Sequence, residues 1–250
     1  MVSRISIQQE RHFINGREWV IFVKIKFRVA EAYFYFQLLY DLRTEPNFAA
    51  VAQASLLLSF QCTPYDLQLN TSWLSTAIQY ARADDAHLYY SLPSLTGRQR
   101  REKKRLWWCC VLRDRIIAVG VRRPIQITPN HFDFSQSSMT EQDFAGELAR
   151  SKVYDPETKA LLVRTFILQC QLAIALTSTI MTIYPLNGIT FPASNLSRLS
   201  KLISQIDDSK ALLAKWMEKA KCQLDPNPEK LTALHKSTNL YSDITYIYYQ

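Results

Sequence analysis

From Glu31 onward the apolar residues recur at three- and four-residue spacings, the signature of helices with one buried face. "EAYFYFQLLYDL" and "NFAAVAQASLLLSF" read as two such helices, broken at Pro46, whose ring removes a helix donor. "TSWLSTAIQYARADDA" reads as a third, opened by a Thr or Ser N-cap. After the break "SLPSLTG" comes a long helix over roughly Gln99 to Val119, ended near Gly120 and Pro124. "IQITPNHFDFSQSSMTEQDF" lacks a period and reads as a loop lying over the domain. "DPETKALLVRTFILQCQLAIALTSTIMTIY" is the next helix, with Asp155 as N-cap and Pro156 at its first position. A break at "PLNGITFPASN" leads into a last amphipathic helix, whose apolar positions are Leu199, Leu202, Ile206, Leu212, Leu213 and Trp216. Only residues 1–30 are different: "WVIFVKIKF" alternates like a strand, with no partner strand in sight. The tail "TNLYSDITYIYYQ" is rich in tyrosine. The pattern predicts a single all-α domain, a multi-helix bundle of about eight helices with a helical C-terminal extension.

Composition supports helices, because five glycines in 250 residues are too few for the tight turns of a strand-rich fold. Charge adds a local feature. The net charge is +8, and the window Gly97–Pro124 holds ten Arg or Lys against Glu102 and Asp114, so this one stretch carries the whole excess. The five cysteines, Cys62, Cys109, Cys110, Cys170 and Cys222, show no C-x-x-C pair and no zinc-finger spacing to a histidine. The opening "MVSRISIQQERHF" is charged where a secretory leader needs an apolar core, so reduced thiols in an intracellular protein are expected. Thr165 to Ser197 is uncharged and of near-spanning length, but it holds Gln169 and Gln171 and lacks basic or aromatic flanks. A buried helix with no membrane contact is the expectation; a membrane-attached helical protein stays open.

No nucleophile elbow, dinucleotide loop, phosphate loop or H-E-x-x-H is present, so catalysis is not expected. Asp84-Asp85 invites comparison with the Mg²⁺-binding acidic motif of terpenoid synthases, but one helical turn on stands Leu88. A helical small-molecule-binding domain or terpenoid-type enzyme remains the alternative. In the basic window Trp107, Cys110, Asp114, Ile117 and Val121 share one helix face. A carboxylate in an apolar stripe is costly unless paired, so Asp114 needs a fixed partner, an Arg of the next turn or of the returning loop. Trp107 and Trp108 point about 100° apart on a helix and make no common stacking platform for bases. The run Arg98, Arg100, Arg101, Lys103, Lys104 and Arg105 reads as a solvated helix start, a candidate nuclear signal or a phosphate contact.

"KKRLWWCCVLRDRIIAVGVRRPIQI" resembles the central signature of the fungal-specific transcription factor domain, the middle homology region of zinc-cluster regulators, nearest its cutinase transcription factor branch. The residues that carry the likeness are Arg105, Trp107, Trp108, Arg113, Asp114, Arg115, Gly120, Arg122, Arg123 and Pro124. "LLYDLRTEPNFAAVAQASLLLSF", "TSWLSTAIQYAR" and "FDFSQSSMTEQDF" resemble neighbouring parts of that domain in the right order. "ADDAHLYYSLPS" departs from the family's turn, and residues 1–33 carry no likeness. The resemblance implies an unassigned segment at 1–33, a regulatory domain at 34–186 and a helical extension at 187–250. It also implies transcription regulation in the nucleus, with the motif residues serving as structural core. The six-cysteine zinc cluster through which such regulators read DNA is not among these cysteines. Zinc and DNA contact are therefore expected in that separate module, with no cofactor here, and protein partners or a homodimer remain for this domain.

Overall fold

The computed structural model describes residues 37–38, 40–42, 45–60, 68–136, 138–150, 154–186 and 196–224, with backbone alone at 149–150, 196–198 and 224. The strand expected at 19–27, the start of the first expected helix and the tyrosine-rich tail lie outside them. The described residues form six α-helices, two 3₁₀ turns and no strand, so the fold is all-α.

Helix α1 (Phe48–Leu58) starts at Asn47, whose side chain accepts from the Ala50 N–H at 3.1 Å. Helix α2 (Leu69–Ala83) leads through left-handed Asp85 (φ 54°) to a 3₁₀ turn at Ala86–Leu88. Helix α3 (Gly97–Val121) opens on a capping box, in which Thr96 accepts from the Gln99 N–H and the Gln99 side chain accepts from the Thr96 N–H. A return segment leads to a 3₁₀ turn at Glu141–Phe144 and the short α4 (Ala145–Arg150). Helix α5 (Pro156–Ile183) has the expected Asp155 cap and Pro156, and α6 (Leu196–Leu224) closes the described chain. Helix α1 lies on α2, both lie on α3, and α5 packs between α3 and α6.

Helix α3 is therefore interior. Leu106, Trp107, Trp108, Cys110, Val111, Ile117 and Ala118 are all buried, and so are the charged residues Lys104, Arg113, Asp114 and Arg115. Consecutive buried residues cannot share one stripe of a 3.6-residue helix, so α3 is covered on several faces at once. The cover includes the return segment, which places Ile125, Ile127, Phe132 and Met139 in the core. A stretch without periodicity thus supplies core side chains, because it packs as irregular chain and needs no helical spacing.

Several expected positions differ. Val121, assigned to the buried face, is exposed, since it stands in the last turn beyond the covering elements. Helix α3 does end between Gly120 and Pro124, at Val121, and its left-handed cap is Arg122, φ 54°. The N–H groups of Arg122 and Arg123 both reach back to the Ala118 carbonyl, closing the helix without glycine. On α6, Trp216 is buried, and its indole N–H donates to the Leu168 carbonyl at 2.9 Å. Leu199, Ile206 and Leu212 are exposed instead.

Helix α5 is long and apolar enough to cross a membrane by length and composition. In this fold Leu168, Cys170, Leu172, Ala173 and Ile180 of α5 are core residues against α3 and α6.

Candidate functional site

The polar centre of the molecule is Asp114, fully buried in the middle of α3. Its carboxylate accepts from the Gln126 N–H at 3.0 Å and from the Ile127 N–H at 3.0 Å. Arg115 Nη1 donates to Asp114 Oδ2 at 2.7 Å. The same guanidinium donates through Nη2 to the Ile127 carbonyl at 2.8 Å and through Nε to Thr177 Oγ1 on α5 at 3.2 Å. It also lies 5.2 Å from the Phe134 ring centre. The charged pair is thus tied to α3, the return segment and α5 together. Burial lowers Arg115 to about 10 while Asp114 opposes the shift, so the guanidinium stays charged at neutral pH. The partner sought for Asp114 is the very next residue: Arg115 and two backbone donors of the return segment share its oxygens.

Arg113 makes a second tie. Its Nε donates to Ser59 Oγ at 3.0 Å, its Nη2 reaches the Ser59 carbonyl, and its guanidinium stacks 3.9 Å from the Phe60 ring centre. Ser59 caps the C-terminal end of α1, where orphaned carbonyls favour a cation. Arg-Asp-Arg is therefore a three-residue junction binding α1, α3, α5 and the return segment.

Trp107 and Trp108 are both fully buried. The Trp108 indole N–H donates to the Tyr89 hydroxyl at 3.2 Å, and both rings meet Phe132 edge-on. Trp107 lies 5.5 Å from the His87 ring, and its N–H has no partner. Burial holds His87 below its ordinary range, with Arg82 adding to the shift.

The basic run is not the freely solvated start that the spacing suggested. Arg100 donates to the carbonyls of Tyr89, Tyr90 and Leu92. Lys103 pairs with Asp84 at 2.7 Å, Lys104 with Asp143 at 2.8 Å, and Arg105 with Glu147. Lys104 is buried. Arg98 and Arg101 stand exposed, Arg98 pairing with Glu102 one turn on. Sequence alone missed this because the carboxylates that recruit the run lie 19 to 42 residues away. Asp84, considered as a Mg²⁺ ligand, is committed to Lys103. No group of three or more His, Cys, Asp or Glu converges among the described residues.

Arg122 is exposed, Pro124 half-buried and Arg123 half-buried with its Nε and Nη2 unpartnered. Burial pushes the Cys109 thiol up to about 11 and raises Cys110 and Cys170 as well, so these thiols are protonated and poor nucleophiles. A crevice between α3 and α5 is lined by Leu112, Ile116, Val119, Leu172 and Leu176, with Arg115 and Gln169 as its polar members.

This junction sits in a chain whose residues 5–245 match the model of the fungal specific transcription factor domain. The chain belongs to that family. The match reaches beyond the expected regulatory domain at 34–186 on both sides. Cutinase transcription factor 1 beta of Fusarium vanettenii is 33% identical over 139 residues, 55% of this chain and 16% of the relative. Cutinase transcription factor 1 alpha of the same fungus is 31% identical over 122 residues, 48% of this chain and 13% of the relative. A transcription factor of Fusarium pseudograminearum is 26% identical over 110 residues, 44% of this chain and 12% of the relative. These matches thus cover less than one fifth of each relative's length. No solved structure matches the chain.

Proposed function

We propose that this chain is a regulatory domain of a fungal zinc-cluster-type transcription regulator, working in the nucleus through protein contacts. Residues 34–186 form its core and 187–250 its helical extension, in a bundle of about eight helices of which six are described. The family membership supports this reading, and one structural observation carries it further: every distinctive side chain of the central motif that is buried is spent on holding helices together. Asp114, Arg113, Arg115, Trp107 and Trp108 leave no face free for bases or substrate. The motif therefore builds the scaffold, while DNA reading and zinc belong to a separate module. Catalysis has no part in this reading, and a homodimer or another regulatory protein is the partner it implies.

A tethering experiment tests it. The intact chain, fused to a heterologous DNA-binding module in a fungal host, should change a reporter's output several-fold in either direction, and the change should disappear with Asp114→Ala. Output equal to that of the DNA-binding module alone, from a folded nuclear fusion, overturns the proposal. The small-molecule or terpenoid alternative requires Mg²⁺-dependent turnover of a prenyl diphosphate, and no such turnover is expected.

A further inference from the structure

The segment 138–150 is held to the body of the domain largely by charge. Asp143 pairs with Lys104 and Glu147 with Arg105, both on α3, and Glu141 pairs with Arg164 on α5 at 3.2 Å. Lys159 adds a bond to the Leu148 carbonyl at 3.1 Å. Apolar anchorage comes from Met139, which is buried, and Phe144, which meets Phe166 edge-on. Against the many-sided burial of α3 this is a light attachment.

At its head is Thr140, exposed and extended (φ −131°, ψ 163°). Its hydroxyl donates to Asp143 Oδ2 at 3.0 Å and its N–H to the same oxygen at 2.8 Å. That oxygen also accepts from Lys104 Nζ at 2.8 Å. A single carboxylate oxygen therefore joins the Thr140 cap to the buried lysine. Carboxylates follow Thr140 at the first and third positions, Glu141 and Asp143. A kinase with a basic substrate groove selects such a hydroxyl by charge complementarity. Ser204 also has acids three and four positions on, Asp207 and Asp208, but it lies inside α6, where an extended pose requires breaking a 29-residue helix. The four residues after Thr140 form a 3₁₀ turn ahead of the six-residue α4, and such a turn unwinds at little cost.

We propose that Thr140 is a phosphorylation site for an acid-directed serine/threonine kinase, and that its modification releases segment 138–150 from α3. The γ-phosphoryl group of ATP passes to Thr140 Oγ1: a new O–P bond forms, the bond to the β-phosphate oxygen breaks, ADP leaves, and the hydroxyl proton goes to the kinase's base. The product loses the donor to Asp143 and sets nearly two negative charges against that carboxylate. The Thr140 N–H and Lys104 Nζ still donate to that oxygen, but the repulsion between the phosphate and the Asp143 carboxylate drives Asp143 away from its place beside Thr140 and opens the clamp. Release uncovers Lys104 and Arg105, converting a masked basic run into an accessible one. Any effect on nuclear import rests on the proposed function, whereas the modification itself does not.

The test uses the intact chain, ATP and a recombinant acid-directed kinase of the casein kinase type, with phosphate mapped by fragment mass and with limited proteolysis across 138–150. One phosphate at Thr140 is expected, absent in Thr140→Val, with cleavage of the segment accelerated at least ten-fold. Thr140→Glu, without kinase, should show accelerated cleavage in the same direction, and Thr140→Val should stay close to the unmodified protein. A synthetic peptide of residues 135–147 serves as the control for recognition. Phosphate on the peptide but not on the folded chain overturns the proposal, and so does phosphate on neither. Phosphorylated Thr140 with unchanged cleavage overturns the release step.

Discussion

Two charged stations stand ten residues apart on α3. At Lys104 the partner is the side chain of Asp143, and the pair keeps about a tenth of its surface in water, with side-chain exposures of 8% and 11%. At Asp114 and Arg115 water is excluded, with exposures of 0% and 1%, and three of the bonds formed there involve the backbone of the return segment. Both are ion pairs at nearly the same distance, 2.8 Å and 2.7 Å. What separates them is what remains when one partner goes. At Lys104 the tenth of the surface still in water lets a surviving charge be partly hydrated, while a charge at the centre has only unpaired dipoles. The first kind of station suits a clasp that opens, and the second suits a permanent joint.

Substitutions along α3 measure that contrast directly. Asp114→Ala strands the Arg115 guanidinium and two backbone N–H groups, and should cost about 3–5 kcal/mol, read as a collapse of the urea midpoint or an insoluble chain. A midpoint within error of the parent would end the idea of a central joint. Lys104→Met keeps the aliphatic stem but unpairs Asp143, which still accepts from Thr140, so a smaller loss of about 1–2 kcal/mol is expected. Equal losses at the two stations would erase the distinction between them. Arg122→Gly relieves a left-handed residue and should raise stability by about 1 kcal/mol, visible as a higher thermal midpoint. A drop there would mean that the exposed Arg122 side chain makes a tie of its own. Arg98→Ala, fully exposed on the first turn, should leave the thermal midpoint where it is.

The sequence made the Asp114 joint legible for a simple reason. A carboxylate at the centre of Trp107, Cys110 and Ile117 has no inexpensive way to be buried, so a partner could be demanded before one was seen. The identity of that partner was not legible, because neighbours on a helix diverge by about 100° and only the length of the arginine side chain brings Arg115 back across. The same logic misplaced the basic run. Six cations in eight residues look solvated when only local neighbours are counted, and Asp84, Asp143 and Glu147 are recruited by folding alone. The start of α3 was readable in principle, since Thr96 and Gln99 stand at capping-box spacing. Its end lies where Gly120 and Pro124 bracket it, but the left-handed cap there is Arg122 and not a glycine.

The interior course of α3 makes rotational phase a property of the whole domain. The ten residues between Lys104 and Asp114 correspond to a rise of ~15 Å. One residue inserted between them would turn one station by about 100° against the other, so Asp143 and the return segment could not both be met. A surface helix absorbs such a slip by presenting another polar face. Here there is no spare face, and the length of that ten-residue interval is as strongly specified as the residues at its ends.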